Sequence, residues 1–287
     1  VWSRALALLA ILSSLGLAAE PLRVASWNVN QARDSAQILA ALEQPQLSAA
    51  GCDLLVLQEA PFGESPSLAE SIARERGWHV FQNASNAILS RWPIRRSGVA
   101  VIGVSRTREL PWADIDAPLG PLRVYSIHLT FRNGGLPFEE ELRFQELAWI
   151  LYHLEKTEPP ASPETPVLLA GDFNTVGSIW WGHQREKALR LLARRGFVSG
   201  PGNGATHLLF GRLDWIWASR LRPLDGGVGE FDGADHRWLW ASFKPAGSEH
   251  VPTPRISGVS GVWPVLGLVV VVVAVLGARR VGRARRR

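Results

Sequence analysis

The 287-residue sequence predicts an α/β protein. Two observations point there. Apolar β-type runs alternate with stretches of helical periodicity, and most connections between them are short. Several of the runs also end in a carboxylate, amide or imidazole. That places the polar group at the rim of a sheet, where α/β folds assemble sites from residues far apart in the chain. Strand-like runs occupy 23–30, 52–59, 86–94, 123–131, 167–174, 212–219 and 237–244. Helix-like stretches occupy 35–47, 67–76, 139–156 and 183–195. In the third of these, Leu142, Leu147, Ile150, Leu151 and Leu154 recur at helical spacing. Four prolines make 158–166 a loop, and Gly200, Gly202 and Gly204 make 199–206 another.

Both ends carry membrane-type signals. Arg4 precedes an apolar run over 5–17, and Leu17-Ala18-Ala19 offers small residues for cleavage before Glu20. This is the layout of a signal peptide over 1–19. At the other end 256–278 holds no charge, which predicts a transmembrane helix over 258–278 after a linker at 247–257. Arg279, Arg280, Arg283, Arg285, Arg286 and Arg287 form a basic tail over 279–287 that the positive-inside rule assigns to the cytoplasm. The expectation is a single-pass protein of the cytoplasmic membrane with an extracytoplasmic domain over 20–246. Twenty-eight Arg against three Lys is the composition of a GC-rich bacterial genome.

Charge narrows the partners. The chain carries +5, but residues 20–246 hold 23 basic and 25 acidic residues, a net −2. The basic excess belongs to the tail, so the central domain advertises no global attraction for a polyanion. The lone Cys52 opens an apolar run and reads as a small buried hydrophobe.

Seven motifs occur in order: Trp27-Asn28-Val29-Asn30, Leu57-Gln58-Glu59, Asn86-Ala87-Ile88-Leu89-Ser90-Arg91, Ser126-Ile127-His128-Leu129, Gly171-Asp172-Phe173-Asn174, Leu213-Asp214-Trp215-Ile216 and Asp235-His236-Arg237. Each opens or closes a predicted strand. Together they resemble the endonuclease/exonuclease/phosphatase superfamily of metal-dependent phosphoesterases, here as a membrane-tethered bacterial member, from residue 23 to about 244. The resemblance implies a four-layer α/β/β/α sandwich, two packed mixed β-sheets flanked by helices, with the site at one rim. It also implies a divalent cation, Mg²⁺ or else Mn²⁺ or Ca²⁺, and a phosphoester substrate, either nucleic acid or lipid headgroup. No protein partner is inferred.

The residue types suit that chemistry. Phosphodiester cleavage needs charge neutralised on the phosphoryl oxygens, a water deprotonated and a leaving oxygen stabilised. A hard ion held by carboxylate and amide oxygens meets the first need. Glu59, alone, reads as a solvated strand-end carboxylate; after Gln58 it reads as a metal ligand. By resemblance Asn28 and Asn30 join it, and Asn30 in place of an Asp leaves the site one negative charge short. Asp172 and Asn174, two apart on an extended stretch, face the same side. By resemblance Asp172 orients or deprotonates the water, and Asn174 holds the water or a phosphoryl oxygen. His236 is the phosphate's imidazole partner, Asp214 holds its ring protonated, and Asp235 completes the metal or phosphate shell. His128 serves the leaving group. His79, His153, His183, His207 and His250 lie outside the motifs and read as structural. Arg132, in the glycine-containing loop 131–138, and Trp180 and Trp181, six residues beyond Asn174, are candidate substrate contacts.

The expected function is divalent-metal-dependent hydrolysis of phosphoester bonds, first as a nuclease-like phosphodiesterase outside the cytoplasmic membrane. A phospholipid or sphingolipid headgroup hydrolase is the alternative. An inactive surface-binding module on the same fold is a third reading, against which the complete set of Glu59, Asp172, Asn174, Asp214, Asp235 and His236 argues.

Overall fold

The computed structural model describes residues 20–30, 35–44, 51–63, 65–103, 107–131, 137–157, 164–176, 186–202 and 204–246. The chain runs β1 (Leu22–Asn28), α1 (Ser35–Leu42), β2 (Leu54–Gln58), α2 (Leu68–Arg76), β3 (His79–Asn83) and β4 (Asn86–Ser90). It then crosses to a second sheet through β5 (Ile94–Gly103), β6 (Thr107–Ala117), β7 (Gly120–His128), α3 (Pro137–Lys156), β8 (Val167–Asp172), α4 (Lys187–Arg194), β9 (Val198–Ser199) and β10 (Asp214–Ser219). It returns as β11 (Leu221–Val228) and β12 (Leu239–Pro245).

The strand orders are β11-β12-β1-β2-β4-β3 and β5-β6-β7-β8-β10-β9. Each sheet has one parallel pair, β1 with β2 and β7 with β8, and both pairs need a crossover through a helix. All other pairings are antiparallel, so the sheets are mixed. Val24, Leu54, Val56 and Ile88 of the first sheet pack on Val124, Leu168, Ala170 and Ile216 of the second. The outer face of the first sheet carries α1 and α2 through Ile38 and Ile72, which meet Trp27, Leu55 and Trp238. The outer face of the second carries α3 and α4 through Leu147, Ile150 and Leu189, which meet Tyr125, Leu169 and Trp215. Two-sided burial explains why the central strands read as continuous apolar runs rather than as alternating ones. The expected four layers are present.

Local chemistry sets the boundaries. Ser67 caps α2 in a reciprocal box with Glu70, and Gly77 ends that helix in the left-handed conformation. Pro137 begins α3, where a missing N–H costs nothing, two residues before the sequence placed its start. α1 ends at Leu42, short of the expected 47. The run expected as one strand over 86–94 is two, in different sheets. The break falls at Arg91-Trp92-Pro93, where proline cannot donate to a ladder. β3, β6, β9, β11 and all but the first residue of β5 escaped the sequence reading. β6 contains Pro111 and four acidic or basic residues, and β11 contains Pro223, Gly226 and Gly227, which an edge strand tolerates.

The expected C-terminal membrane helix is corrected. Among the described residues no helix is long and apolar enough to cross a membrane. The longest, α3, carries charges along its length. The run over 258–278, its basic tail and the signal peptide lie outside the described residues. The membrane attachment, single-pass topology and extracytoplasmic placement built on that helix fall with it. Among the described residues the architecture is the sandwich.

Candidate active site

The site lies where the rims of the two sheets meet, at the carboxyl ends of both parallel pairs. In the first sheet β1 ends at Asn28, opposite Gln58, and Glu59 follows β2. In the second, His128 at the end of β7 is opposite Asp172 at the end of β8, and Asp214 opens β10 on the other side of Asp172. His236 lies just ahead of β12. The two rims touch through Asn28, whose amide donates to Asp172 Oδ2 at 3.1 Å and Glu59 Oε1 at 3.2 Å.

Close backbone approach makes this possible. Gly171 has φ +145°, and a Cβ there would lie 1.9 Å from the Ile127 carbonyl oxygen. The glycine before Asp172 thus lets β8 lie against β7 at the point where both deliver site residues. Gln58, fully buried, spans the sheets below the rim, where it accepts from Ser26 Oγ at 3.4 Å and donates to Ser126 Oγ at 3.3 Å. Asn30, Glu59 and Asn174 all take positive φ, 42°, 51° and 50°, just after strand ends. Among the described residues, three of the five non-glycine residues in that region therefore cluster here, the concentration of backbone strain expected at functional sites.

Asp172 is the hub. It is buried, and its Oδ2 lies 3.9 Å from Nε2 of both His128 and His236. Burial and the charge of Asp214 push its carboxyl above the usual range, while the two imidazoles pull against that rise. His236 Nδ1 donates to Asp214 Oδ2 at 2.8 Å. Burial disfavours a charged ring, but Asp214 by charge and hydrogen bond, with Asp172 and Asp235, pushes His236 up to about 10. The ring is an imidazolium at neutral pH. Trp27 Nε1 donates to the His236 carbonyl at 3.0 Å and fixes its backbone. On the more open side His128 Nε2 is 3.8 Å from Glu59 Oε1. Arg108 donates to the His128 carbonyl, and Glu146 accepts from the Thr130 N–H and hydroxyl two residues on. Those supports were not legible in the sequence.

Most sequence-predicted residues therefore meet: Asn28, Glu59, His128, Asp172, Asp214, Asp235 and His236. Two are placed differently. Asn174 is not on an extended stretch with Asp172, because β8 ends at Asp172. Its N–H donates to Asp172 Oδ1 at 2.8 Å and its amide to the Leu129 carbonyl at 3.0 Å. Asn30 is exposed and reaches the site by its N–H, which donates to Asn28 Oδ1 at 3.1 Å. Arg132, Trp180 and Trp181 lie outside the described residues. One residue read as structural is in the site. His207 Nε2 stands 3.7 Å from Asp235 Oδ2, and its ring is edge-on to His236 at 4.7 Å. Burial and then the charge of His236 bring His207 down to about 4. No motif or strand marked it.

The donor set suits a hard cation. Carboxylate oxygens of Asp172 and Asp214 lie within 4.8 Å of each other beside the His236 ring, and one of Asp235 lies within 4.8 Å of His207 and His236; the oxygens are the candidate ligands, since the protonated His236 ring offers no lone pair. Buried Oδ1 atoms of Asp214 and Asp235 have no hydrogen-bond partner among the described residues, a costly state for a carboxylate that a cation relieves.

A family model of the endonuclease/exonuclease/phosphatase family matches residues 25–250. The chain belongs to that family. With the buried Asp and His clusters, membership makes it a metal-dependent phosphoric ester hydrolase of nuclease-like type, which removes the inactive binding module as a reading. No curated protein matches. Among solved structures, an endonuclease/exonuclease/phosphatase from Beutenbergia cavernae is 20% identical with TM-score 0.59, covering 79% of this chain and 72% of that one. The human Nocturnin catalytic domain with bound sulfate is 17% identical with TM-score 0.58, covering 80% and 95%. Sphingomyelinase C from Streptomyces griseocarneus is 15% identical with TM-score 0.57, covering 78% and 99%. At these identities they share the fold. Bacterial and human proteins are alike among them, so family likeness does not single out a membrane-tethered bacterial member, and that expectation is corrected too.

Proposed function

We propose that the chain hydrolyses phosphodiesters with Asp172 as the base for the attacking water. The position of Asp172 carries the reading. Asn28, His128 and His236 all face this carboxylate, where the two sheets meet. Its raised pKa makes it a better proton acceptor than an ordinary aspartate. Asn174 holds the other carboxylate oxygen still through its N–H. His236 donates from Nε2 to a phosphoryl oxygen as charge develops, with Asp214 keeping the ring charged. His128 serves the leaving oxygen. Glu59 and Asn28, with Asp235 completing the shell, would hold Mg²⁺, which when bound would neutralise charge on the phosphoryl oxygens. Two of the three imidazoles facing the carboxylates have Nδ1 committed, His236 to Asp214 and His207 to backbone N–H groups.

A nucleic-acid diester is the first substrate, since Phe62 and Phe131, exposed on the loops after Glu59 and His128, offer faces on which bases stack. A phospholipid or sphingolipid headgroup is the second. Leu208 and Leu209, 66% and 57% exposed beside His207, favour it, because aliphatic side chains do not stack bases. Turnover of bis(p-nitrophenyl) phosphate with Mg²⁺, abolished by chelator, is the expected result. Rates on single-stranded DNA and on phosphatidylcholine or sphingomyelin vesicles then choose between the substrates. A folded protein with no metal-dependent turnover on any of these would sink the reading.

A further inference from the structure

His207 is held in the site by the backbone rather than by a motif. Its segment is pinned to the one carrying Asp235 and His236. Leu208 N donates to the Asp235 carbonyl at 3.1 Å, Arg237 N donates to the Thr206 carbonyl at 2.7 Å, and His207 bridges His236. The Thr206 hydroxyl accepts from the N–H groups of Leu213 and Asp214 at 2.9 and 3.0 Å, which ties the same turn to the start of β10. The rings of Phe210 and His236 flank the imidazole at 4.8 and 4.7 Å.

The turn also decides the tautomer. Leu209 N and Phe210 N both donate to His207 Nδ1, at 3.0 and 3.2 Å. A nitrogen that accepts two N–H groups carries no proton, so the proton of the neutral ring is on Nε2. Nε2 then has no lone pair to offer a cation. Although His207 lies within ligand distance of Asp235 and His236, it is a donor there and not a ligand. Its Nε2 stands 3.7 Å from Asp235 Oδ2, just beyond hydrogen-bond reach. Asp235 is 45% exposed, and its buried Oδ1 has no hydrogen-bond partner among the described residues, so no such bond holds that oxygen in its present orientation.

We propose that His207 is a positioning residue for Asp235: its Nε2–H takes one carboxylate oxygen and turns the other toward the cation. The proposal rests on the reading of Asp235 as a metal ligand. Ligating carboxylates are commonly held by such hydrogen bonds, and removal of the donor costs ~10-fold or more in metal affinity.

His207→Asn separates positioning from structure. Its amide oxygen takes the place of Nδ1 and accepts the same two backbone N–H groups, but it presents no donor where Nε2 stood. Titration of the substrate-free protein with Mn²⁺ should show ~10-fold weaker binding in H207N, with a thermal midpoint close to that of the parent. Turnover lost at low metal should return as metal is raised. In an Asp235→Asn background H207N should add nothing. Should H207N fail to fold, His207→Gln, which restores an N–H near the position of Nε2, should bind Mn²⁺ close to the parent value, and a ~10-fold loss there overturns the proposal. Unchanged Mn²⁺ affinity in H207N also overturns it. So does unchanged affinity in D235N, and in that case a loss in Glu59→Gln keeps the metal reading standing. A parent protein that binds no Mn²⁺ and turns over without metal marks failure of the proposed function itself.

Discussion

The two sides of the site are held by different means. On one side Asp172, Asp214 and His236 are 2%, 0% and 7% exposed, and their central contact is a 2.8 Å ion pair. On the other, Glu59 and His128 are 33% and 20% exposed, and they face each other at 3.8 Å. On the buried side the His236 imidazolium stands between two carboxylates and offsets part of their charge within the protein. The open side presents carboxylate oxygen to solvent, where the proposed cation would balance it. A site of this kind is preorganised where protons move and open where an exchangeable ion enters.

The comparison breaks most visibly at His236. His236→Ala should lower diester turnover by ~10³-fold at every metal concentration, with the circular dichroism spectrum of the parent retained. Glu59→Gln should act on the other side alone. It should weaken metal activation by ~10- to 100-fold, and much of the lost turnover should return at high Mg²⁺. If excess metal rescued the His236 variant as well, the two sides would not be separable, and His236 would belong with the metal ligands rather than with the phosphate.

The pH dependence of stability sharpens the same contrast. His236 has a folded pKa of about 10, raised from 6.5. A raised imidazole pKa favours the folded state, fully so below 6.5, and that contribution is lost progressively as pH rises through about 10. Thermal midpoints in chelator should therefore fall across that window in the parent. Asp214→Asn, which keeps a hydrogen-bond acceptor but removes the charge, should give a flatter profile. A parent curve as flat as that of the variant would mean that the ring is not held charged.

The sequence made the strand ends legible because the chemistry sits at the close of apolar runs, as in Val167-Leu168-Leu169-Ala170 before Gly171-Asp172. The central strands β1, β2, β7, β8, β10 and β12 were found for the same reason: burial on both faces leaves them uninterrupted. β6 and β11 were not, because proline, glycine and charge break the pattern that neighbouring strands supply in space. His207 was illegible because a turn and two backbone N–H groups place it, and none of those leaves a spacing signal. Asn174 was assigned the correct neighbour by the wrong geometry, since positive φ after Asp172 cannot be read from an apolar run. The membrane helix was the largest error. An uncharged apolar run followed by a basic tail carried it, and the structure supplies no spanning helix among the described residues in support.

Asn30 gives the smallest expected effect and the finest test of the open side. Its side chain is exposed, and it serves the site through its N–H, which holds Asn28 Oδ1. Asn30→Ala keeps that N–H, so turnover should change by less than ~3-fold and Mn²⁺ affinity should hold; only backbone strain is added, since alanine is less at ease than asparagine at φ 42°, costing ~1 kcal/mol of stability. Asn28→Ala, which removes the amide between Glu59 and Asp172, should cost far more in both turnover and metal affinity. Comparing the two variants asks whether proximity in sequence or contact in the fold decides function at this rim. A tenfold loss of Mn²⁺ affinity in the Asn30 variant would return that side chain to the cation, and the open side would then extend one residue further than the hydrogen bonds place it.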